Sequence, residues 1–576
     1  MRSKGLGILV GLALAAGSVV SQIPAAAGVG DVLVSVGSVG TLFSQNKQNE
    51  PAVTIDPAHP SIVAAGSNDN IDMELCAAGD PTTCPFTADV GGSGIYFSFD
   101  AGMTWTQPTY TGLTARHCTG PAACVPAVGP IGTLPLYYEN GLVSDGDPAL
   151  VFGPRPGADG EFSWANGSRL YFANLTSTFA GAFKGFEAIA VSRTDDVASA
   201  AAGVNSAWKT PVIASKQSSA DFADKEQIWA DNAGSSAHFG NVYVCYAEFR
   251  GSGAAPVIVA RSTDGGDTWS QKQVSPASNV APSRWGRSGC TIRTDSDGTV
   301  YVFWELFQSP FVFSPPIGSL QFVKSTDGGS SWSRPQTITP VTDSCWFIDP
   351  ITSRCTMDGI AGARDDLASA PSVDIANGAP TGTDATDQIV MTWIDASDGQ
   401  NDEHVMFSSS TNGGATWSAP DEIESAAGDR GYYVAPAISP DGTDVYVVYN
   451  AFTAPFQTDN TSPRPLLAVV LHADISAGVV GAFAELHRSV TGDARASSQN
   501  NLVAEFLGDY VYASATRDSA VAVWNDARDG ANCPAIGAWR DSLRTASPLP
   551  TPAPGTDCPA NFGDTSIYGG AWSDPS

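Results

Sequence analysis

SFDAGMTW (residues 98–105), STDGGDTW (262–269), STDGGSSW (325–332) and STNGGATW (410–417) are four copies of one phrase, Ser-x-Asp-x-Gly-x-x-Trp, with Asn412 standing for Asp in the last. Each position has a physical reason. Asp or Asn ahead of Gly makes a tight turn, because the short polar side chain bonds the following backbone and Gly accepts a positive φ. The Ser hydroxyl joins that local network, and the Trp beyond it offers a large ring to bury between layers. A unit that recurs in this way signals a repeat architecture.

A second set of lines aligns independently of the first: RLYFANL (169–175), NVYVCYAEF (241–249), TVYVFWELF (299–307), QIVMTWIDA (388–396), DVYVVYNAF (444–452) and AVAVWNDAR (520–528), with SIVAAGSND (61–69) a weaker copy. All are β-branched and aromatic, as buried strands should be. Each follows a partner strand and a turn such as Ser-Pro-Asp-Gly (439–442). The unit is strand, turn, strand, variable loop, strand, Ser-x-Asp turn, strand, which is a four-stranded propeller blade. Seven units start near Glu50, Asp147, Glu226, Arg287, Asp366, Tyr433 and Asp509; Trp208 replaces the box Trp in the second, and the seventh ends in AIGAWRD (535–541). A β-sandwich does not repeat one hairpin at this period, and the coils of a β-helix are much shorter.

The four phrases closely resemble the Asp-box, or bacterial neuraminidase repeat, of the sialidase-like β-propellers, three as full matches and one as a near match. The resemblance implies an all-β propeller of four-stranded antiparallel blades, with the boxes as structural hairpins on the outer rim and Trp105, Trp269, Trp332 and Trp417 buried. Sialidase domains usually have six blades. The count here favours seven, with six as the alternative.

Arg2 and Lys4, an apolar run and Ala25-Ala26-Ala27 read as a secretory signal peptide cut after Ala27. The expected organisation is signal peptide 1–27, N-terminal segment 28–48, propeller 49–545 and Pro-rich tail 546–576. No other stretch approaches the roughly 20 apolar residues of a membrane span. The net charge of −30 disfavours nucleic acid and anionic membranes. The expected protein is a secreted extracellular monomer whose partner is a glycan or glycoprotein. The ten cysteines suit export: local pairs Cys76–Cys84, Cys118–Cys124, Cys345–Cys355 and Cys533–Cys558 are expected as disulfides, leaving Cys245 and Cys290 as a fifth. The six His are scattered without a zinc spacing, so neither a metal nor any other cofactor is expected. Gly-x-Ser-x-Gly and phosphate-binding Gly loops are missing from the sequence.

What the resemblance implies about chemistry is more specific. Sialidases hold a sialic acid carboxylate with three Arg, attack with a Tyr activated by Glu, and protonate the leaving oxygen with an Asp. Their first Arg lies in an Arg-Ile-Pro motif; the matching segment here is Asn49-Glu50-Pro51, with the Arg gone and an acid beside the Pro. Asp69 and Asp72 stand where the family's acid would be. Arg287, Arg364 and Arg430, near the starts of successive units, are the candidate substrate clamp, although Arg364 stands beside Asp365 and Asp366 and Arg430 beside Asp429. Tyr432, Tyr433 and Tyr510 are candidate nucleophiles, with Glu226 or Glu505 as the activating base. Two classes stay open: an exo-glycosidase resembling exo-α-sialidases, and a non-catalytic propeller that binds glycan or protein.

Overall fold

The computed structural model describes residues 29–76, 87–119, 122–251, 254–277, 285–308 and 317–575, with the side chains of 29, 285–287 and 308 outside the description. Its strands form seven consecutive antiparallel sheets around one axis. The inner strands are Gln48–Ile55, Leu142–Pro156, Asp221–Ala230, Trp285–Thr294, Ser372–Ile375, Arg430–Ile438 and Tyr512–Ala515. We number the blades 1 to 7 by these strands. The seven aligned aromatic lines are the second strands, from Val63–Asp69 in blade 1 to Ser519–Asp526 in blade 7. Seven blades, not six, therefore close the ring.

The core is a ring of layers rather than one centre. Phe172 and Leu170 of blade 2 pack with Ala64 and Phe97 of blade 1, and Val244 and Tyr246 of blade 3 with Val151 and Tyr171 of blade 2. The same interleaving continues round to Val63 of blade 1 against Val521 and Val523 of blade 7. Each β-branched or aromatic face thus buries against its neighbour, which is why the strands read as nearly continuous apolar runs.

Closure draws on both flanking segments. The third strand of blade 7 is Ser566–Ser573, and its outermost strand is Val29–Leu33, paired antiparallel with it. The expected tail and the expected N-terminal segment thus each contribute one strand to blade 7. AIGAWRD, taken as the end of blade 7, lies in the helix Pro534–Ser542 instead. Pro534 opens the helix, where it suits the first turn because its missing N–H would be unpaired there anyway.

All four Ser-x-Asp turns follow the third strand of a blade and share one network. In STDGGSSW, the Ser325 hydroxyl donates to Asp327 at 2.8 Å, Gly329 N–H donates to Ser325 Oγ at 2.8 Å, and Ser331 N–H donates to Asp327 at 2.8 Å. Asn412 makes the same bond to Thr416 N–H at 2.9 Å, so Asn substitutes without loss of geometry. The rings depart from expectation: Trp105 is buried, whereas Trp269, Trp332 and Trp417 are half-buried. Each still packs against an inter-blade core, Trp417 edge-on to Phe303 and Phe322 of blade 4.

Disulfides link Cys118–Cys124, Cys345–Cys355, Cys533–Cys558 and Cys245–Cys290. The last joins the second strand of blade 3 to the inner strand of blade 4. Cys84 lies outside the described residues, and its expected bond to Cys76 with it. Among the described residues no helix is long and apolar enough to cross a membrane.

Candidate functional site

Five inner strands carry a register irregularity near their beginnings: between Asn49 and Ala52, Gly146 and Ala149, Asp224 and Gln227, Ser288 and Thr291, and Gly431 and Tyr433. At the first four of these a residue turns to positive φ: Glu50 (58°), Asp147 (52°), Lys225 (60°) and Gly289 (62°). In blade 7, Gly508 (84°) does the same just before Asp509. Such bulges re-aim side chains, and here they gather charge at the axis. A non-glycine residue held in that region costs of order 1–3 kcal/mol; the ion pairs described next offset it.

Lys225 Nζ lies 3.2 Å from Asp147 and 3.8 Å from Asp224, and it also pairs with Asp509. Arg364 donates from Nε to Asp509 at 2.8 Å and from Nη2 to Asp509 at 2.5 Å and Glu50 at 3.2 Å. Asp366 lies 3.6 Å from the same guanidinium. Asn68 donates to Glu50 at 2.7 Å and to Asn49 Oδ1 at 2.8 Å. Against the cost of burial, the Arg364 and Lys225 charges hold Asp509 well below the usual carboxylate range. Burial, then the charges of Asp147 and Asp509, push Glu50 far above it.

This cluster forms the floor of a cleft of about 1040 Å³ at one end of the axis. Asp147, Asp224, Lys225 and Arg364 line it, together with Asp145, Arg354 and the amides of Asn49, Asn68, Asn70, Asn500 and Asn501. Lys47 also faces it; burial brings its amine down to about 7. Below the floor is a small cavity of about 60 Å³ lined by Glu226, Tyr510 and Asp509. At the opposite end of the axis lies a third, of about 300 Å³.

The structure brings together some of the sequence candidates and separates others. Arg364 is at the cleft. Arg430 is not: it is buried, donates from Nε and Nη2 to Glu403 at 2.8 and 3.1 Å, and to the carbonyls of Ala454 and Met357. The side chain of Arg287 lies outside the described residues. Arg354, on the cleft rim, pairs with Asp366 at 2.9 Å. Glu226 and Tyr510 share the small cavity, where both carboxyl oxygens of Glu226 and the Tyr510 hydroxyl have no described partner. Burial, then the Asp147 charge, raises both groups well above their ordinary pKa. A phenol so held is the reverse of an activated nucleophile. Tyr432 and Tyr433 both donate to the Arg364 carbonyl, at 2.6 and 3.0 Å, and position that residue.

Glu505 does not approach Tyr510 as a base; it accepts from Arg464 at 2.8 Å, with both side chains fully buried. Asp69 is also a structural pin. It accepts from Ser38 (2.7 Å), Gln107 (2.8 Å), Tyr96 (2.9 Å), Ile71 N–H (3.0 Å) and Gln48 (3.1 Å). Asp72 accepts from Arg116 at 2.7 Å and from Thr133 at 2.7 Å, and burial raises it to about 6. A carboxyl with every lone pair engaged has nothing left for a substrate.

The residues that do meet the cleft, Asp147, Asp224, Lys225 and Lys47, were not singled out from sequence as functional. A signal was there. Asn49-Glu50-Pro51, Gly146-Asp147-Pro148 and Asp224-Lys225-Glu226 place a charged residue at one repeated position of three inner strands, and Gly508-Asp509-Tyr510 does so in the segment leading into a fourth. Charge recurring where packing calls for apolar residues marks the axis.

No protein-family model matches this chain, and no curated protein does. Solved structures resemble it distantly. A Hadza microbial sialidase is 13% identical with a TM-score of 0.39, covering 70% of this chain and 63% of its own. The intramolecular trans-sialidase of Ruminococcus gnavus is 11% identical at 0.38, with 72% and 93% covered. The α-L-arabinanase of Penicillium chrysogenum is 13% identical at 0.40, with 74% and 94% covered. At this distance the likenesses carry no argument about the site.

Proposed function

We propose that the protein is a secreted, glycan-acting propeller whose axial cleft hydrolyses a glycosidic bond, with Asp147 and Asp224 as the working carboxyl pair. One observation carries the reading: two carboxyls from adjacent inner strands face the same ammonium at the floor of a large open cleft. Lys225 Nζ is 3.2 Å from one and 3.8 Å from the other. Their nearest oxygens are therefore no more than about 7 Å apart, a separation compatible with the roughly 5–9.5 Å of glycosidase carboxyl pairs. Burial, then the Asp147 charge working against Lys225, raises Asp224, so it is the group suited to hold a proton for the leaving oxygen. Asp147 is then the carboxylate that acts as base or nucleophile. The ring of Asn side chains supplies donors and acceptors of the kind that sugar hydroxyls use.

The same charges favour a neutral sugar over a sialoside. Every described Arg at the cleft already has an acid partner, so a substrate carboxylate would have to displace Asp509 or Asp366 and enter a net negative floor. The matching tests are hydrolysis of neutral aryl glycosides and polysaccharides, then of sialosides, by purified protein. Asp147→Asn and Asp224→Asn should each lower kcat by about 10²–10⁴. Turnover confined to sialosides, or turnover unchanged in both variants, would sink the assignment.

A non-catalytic glycan-binding propeller is the second reading, favoured by the ion pairs that already engage the floor carboxylates. Glycan retention without turnover, kept in Asp224→Asn, would select it.

A further inference from the structure

The cavity of about 300 Å³ at the end of the axis opposite the cleft draws on every blade: Val53, Val151, Gln227, Arg293, Asp374, Ile438 and Tyr512 come from the seven inner strands in turn. An apolar wall with a few convergent polar groups is the usual character of a ligand pocket, and this one reaches the size at which such pockets begin. One corner is tightly built. The Arg293 guanidinium lies 4.5 Å from the centre of the Trp229 ring. It donates from Nε to Asp374 at 3.2 Å, and from Nη1 to Gln227 Oε1 at 3.2 Å and the Ile292 carbonyl at 2.8 Å. Stacking and three bonds fix the plane of its fork.

What the wall leaves open is one-sided. Asp374 Oδ2 accepts from Ile438 N–H at 3.1 Å, Asn232 Oδ1 from Asn377 at 2.8 Å and Asn377 Oδ1 from Ala379 N–H at 3.1 Å. With Asp374 Oδ1 and Gln227 Oε1 held by Arg293, every side-chain amide and carboxyl of the wall already accepts a bond, the solvent-exposed Asp518 apart. The donors are the reverse. Among the described residues, Arg293 Nη2, the Gln227 amide nitrogen and the Tyr512 hydroxyl meet no protein acceptor. Burial, against the Arg293 charge, raises the Tyr512 phenol, so it keeps its proton and stays a donor. A wall whose acceptors are taken and whose donors are open calls for an acceptor. The Arg293 charge is also loosely held: Asp374 meets it through one oxygen, and burial raises that carboxyl despite the guanidinium. Arg364 differs, since two bonds tie it to a carboxylate held far below its usual range.

We propose that this cavity is a second ligand site, one that takes a small carboxylate carrying a compact apolar body such as an aryl ring. The carboxylate accepts from Arg293, Gln227 and Tyr512, and its charge-assisted bond to the guanidinium is roughly twice as strong as a neutral one. The apolar body lies against the wall that includes Val53, Ile228 and Ile375. A bare inorganic anion would leave that wall facing water. A sugar, whose hydroxyls donate as well as accept, would find too few open acceptors.

The test is calorimetric titration of the purified protein with sodium benzoate, with benzamide and inorganic phosphate as controls, followed by bromine anomalous scattering from crystals soaked in 4-bromobenzoate. The expected results are one equivalent of benzoate bound, bromine density inside this cavity, and both controls at least tenfold weaker. Arg293→Met should weaken benzoate at least tenfold and Tyr512→Phe at least threefold, with circular dichroism showing which variants fold. Tyr512→Phe keeps the ring and loses only the hydroxyl, so it decides the matter should Arg293→Met not fold. The proposal is overturned by no benzoate binding, by bromine confined to the cleft, by benzamide or phosphate binding as tightly as benzoate, or by unchanged affinity in either folded variant.

Discussion

Arg364 of the segment leading into blade 5 and Asp509 of the segment leading into blade 7 make a two-pronged ion pair at the axis, at 2.8 and 2.5 Å across 145 residues of sequence. The pair decides how the cleft works. The guanidinium that sequence offered as a clamp for a substrate carboxylate already holds one belonging to the protein. Glu50, in the segment where a sialidase would carry its first Arg, accepts from the same guanidinium at 3.2 Å.

Arg364→Ala should therefore act on stability. It leaves Asp509 and Glu50 buried with one cation fewer, and breaking a buried pair in this way costs about 3–5 kcal/mol. Urea unfolding should show that loss. A variant that unfolds like the parent but no longer binds a sialoside would support the clamp instead.

The pH profile of stability should peak on the acid side of neutral. Asp509 is depressed, despite burial, by Arg364 and Lys225. Its contribution is present above the unfolded value of about 3.9 and is lost as pH falls through its lower folded value. Burial raises Asp72 to about 6, and Asp231 and Asp564 to about 7. These groups bind their proton more tightly when folded, so their contribution is full below about 3.9 and is lost as pH rises through 6–7. Thermal midpoints should be highest near pH 4–6, and Asp231→Asn should flatten the decline toward pH 8. A midpoint that rises steadily from pH 5 to 8 would contradict this.

Removing the bond between Cys245 and Cys290 should cost more than removing Cys118–Cys124. The first closes a loop across 45 residues and joins two blades, whereas the second spans 6. A Cys245→Ser/Cys290→Ser variant should lose about 2–4 kcal/mol. Equal denaturation midpoints for the two disulfide knock-outs would show that the inter-blade link adds nothing.

Lys47 should react with small acylating reagents well below the pH that ordinary lysines need. Burial holds its amine near 7, and it faces the open cleft. Peptide mapping after brief acetylation at a series of pH values should give half-maximal labelling near 7 at Lys47, with labelling elsewhere rising near 10. Labelling of Lys47 in step with surface lysines would refute the assignment.

The sequence alone carried the repeat. Ser262, Asp264, Gly266 and Trp269 lie within eight residues, and the network they form depends on no other blade, so each copy is readable where it stands. The alternating turns and apolar lines of the second strands gave the count of seven for the same reason, and local cysteine pairs such as Cys345–Cys355 followed from proximity along the chain. Closure through Val29–Leu33 was not legible, because a strand of five residues has no pattern until its partner at the far end of the chain is known. The site was legible only in outline. Arg364, Glu226 and Tyr510 do converge near the axis, but whether a charge is free or spent depends on what stands opposite it. Asp509 satisfies Arg364, Glu403 satisfies Arg430 and Arg464 satisfies Glu505, each from a different part of the chain. Those pairings, and the bulges that turn Glu50, Asp147 and Lys225 inward, exist only when the blades are set side by side.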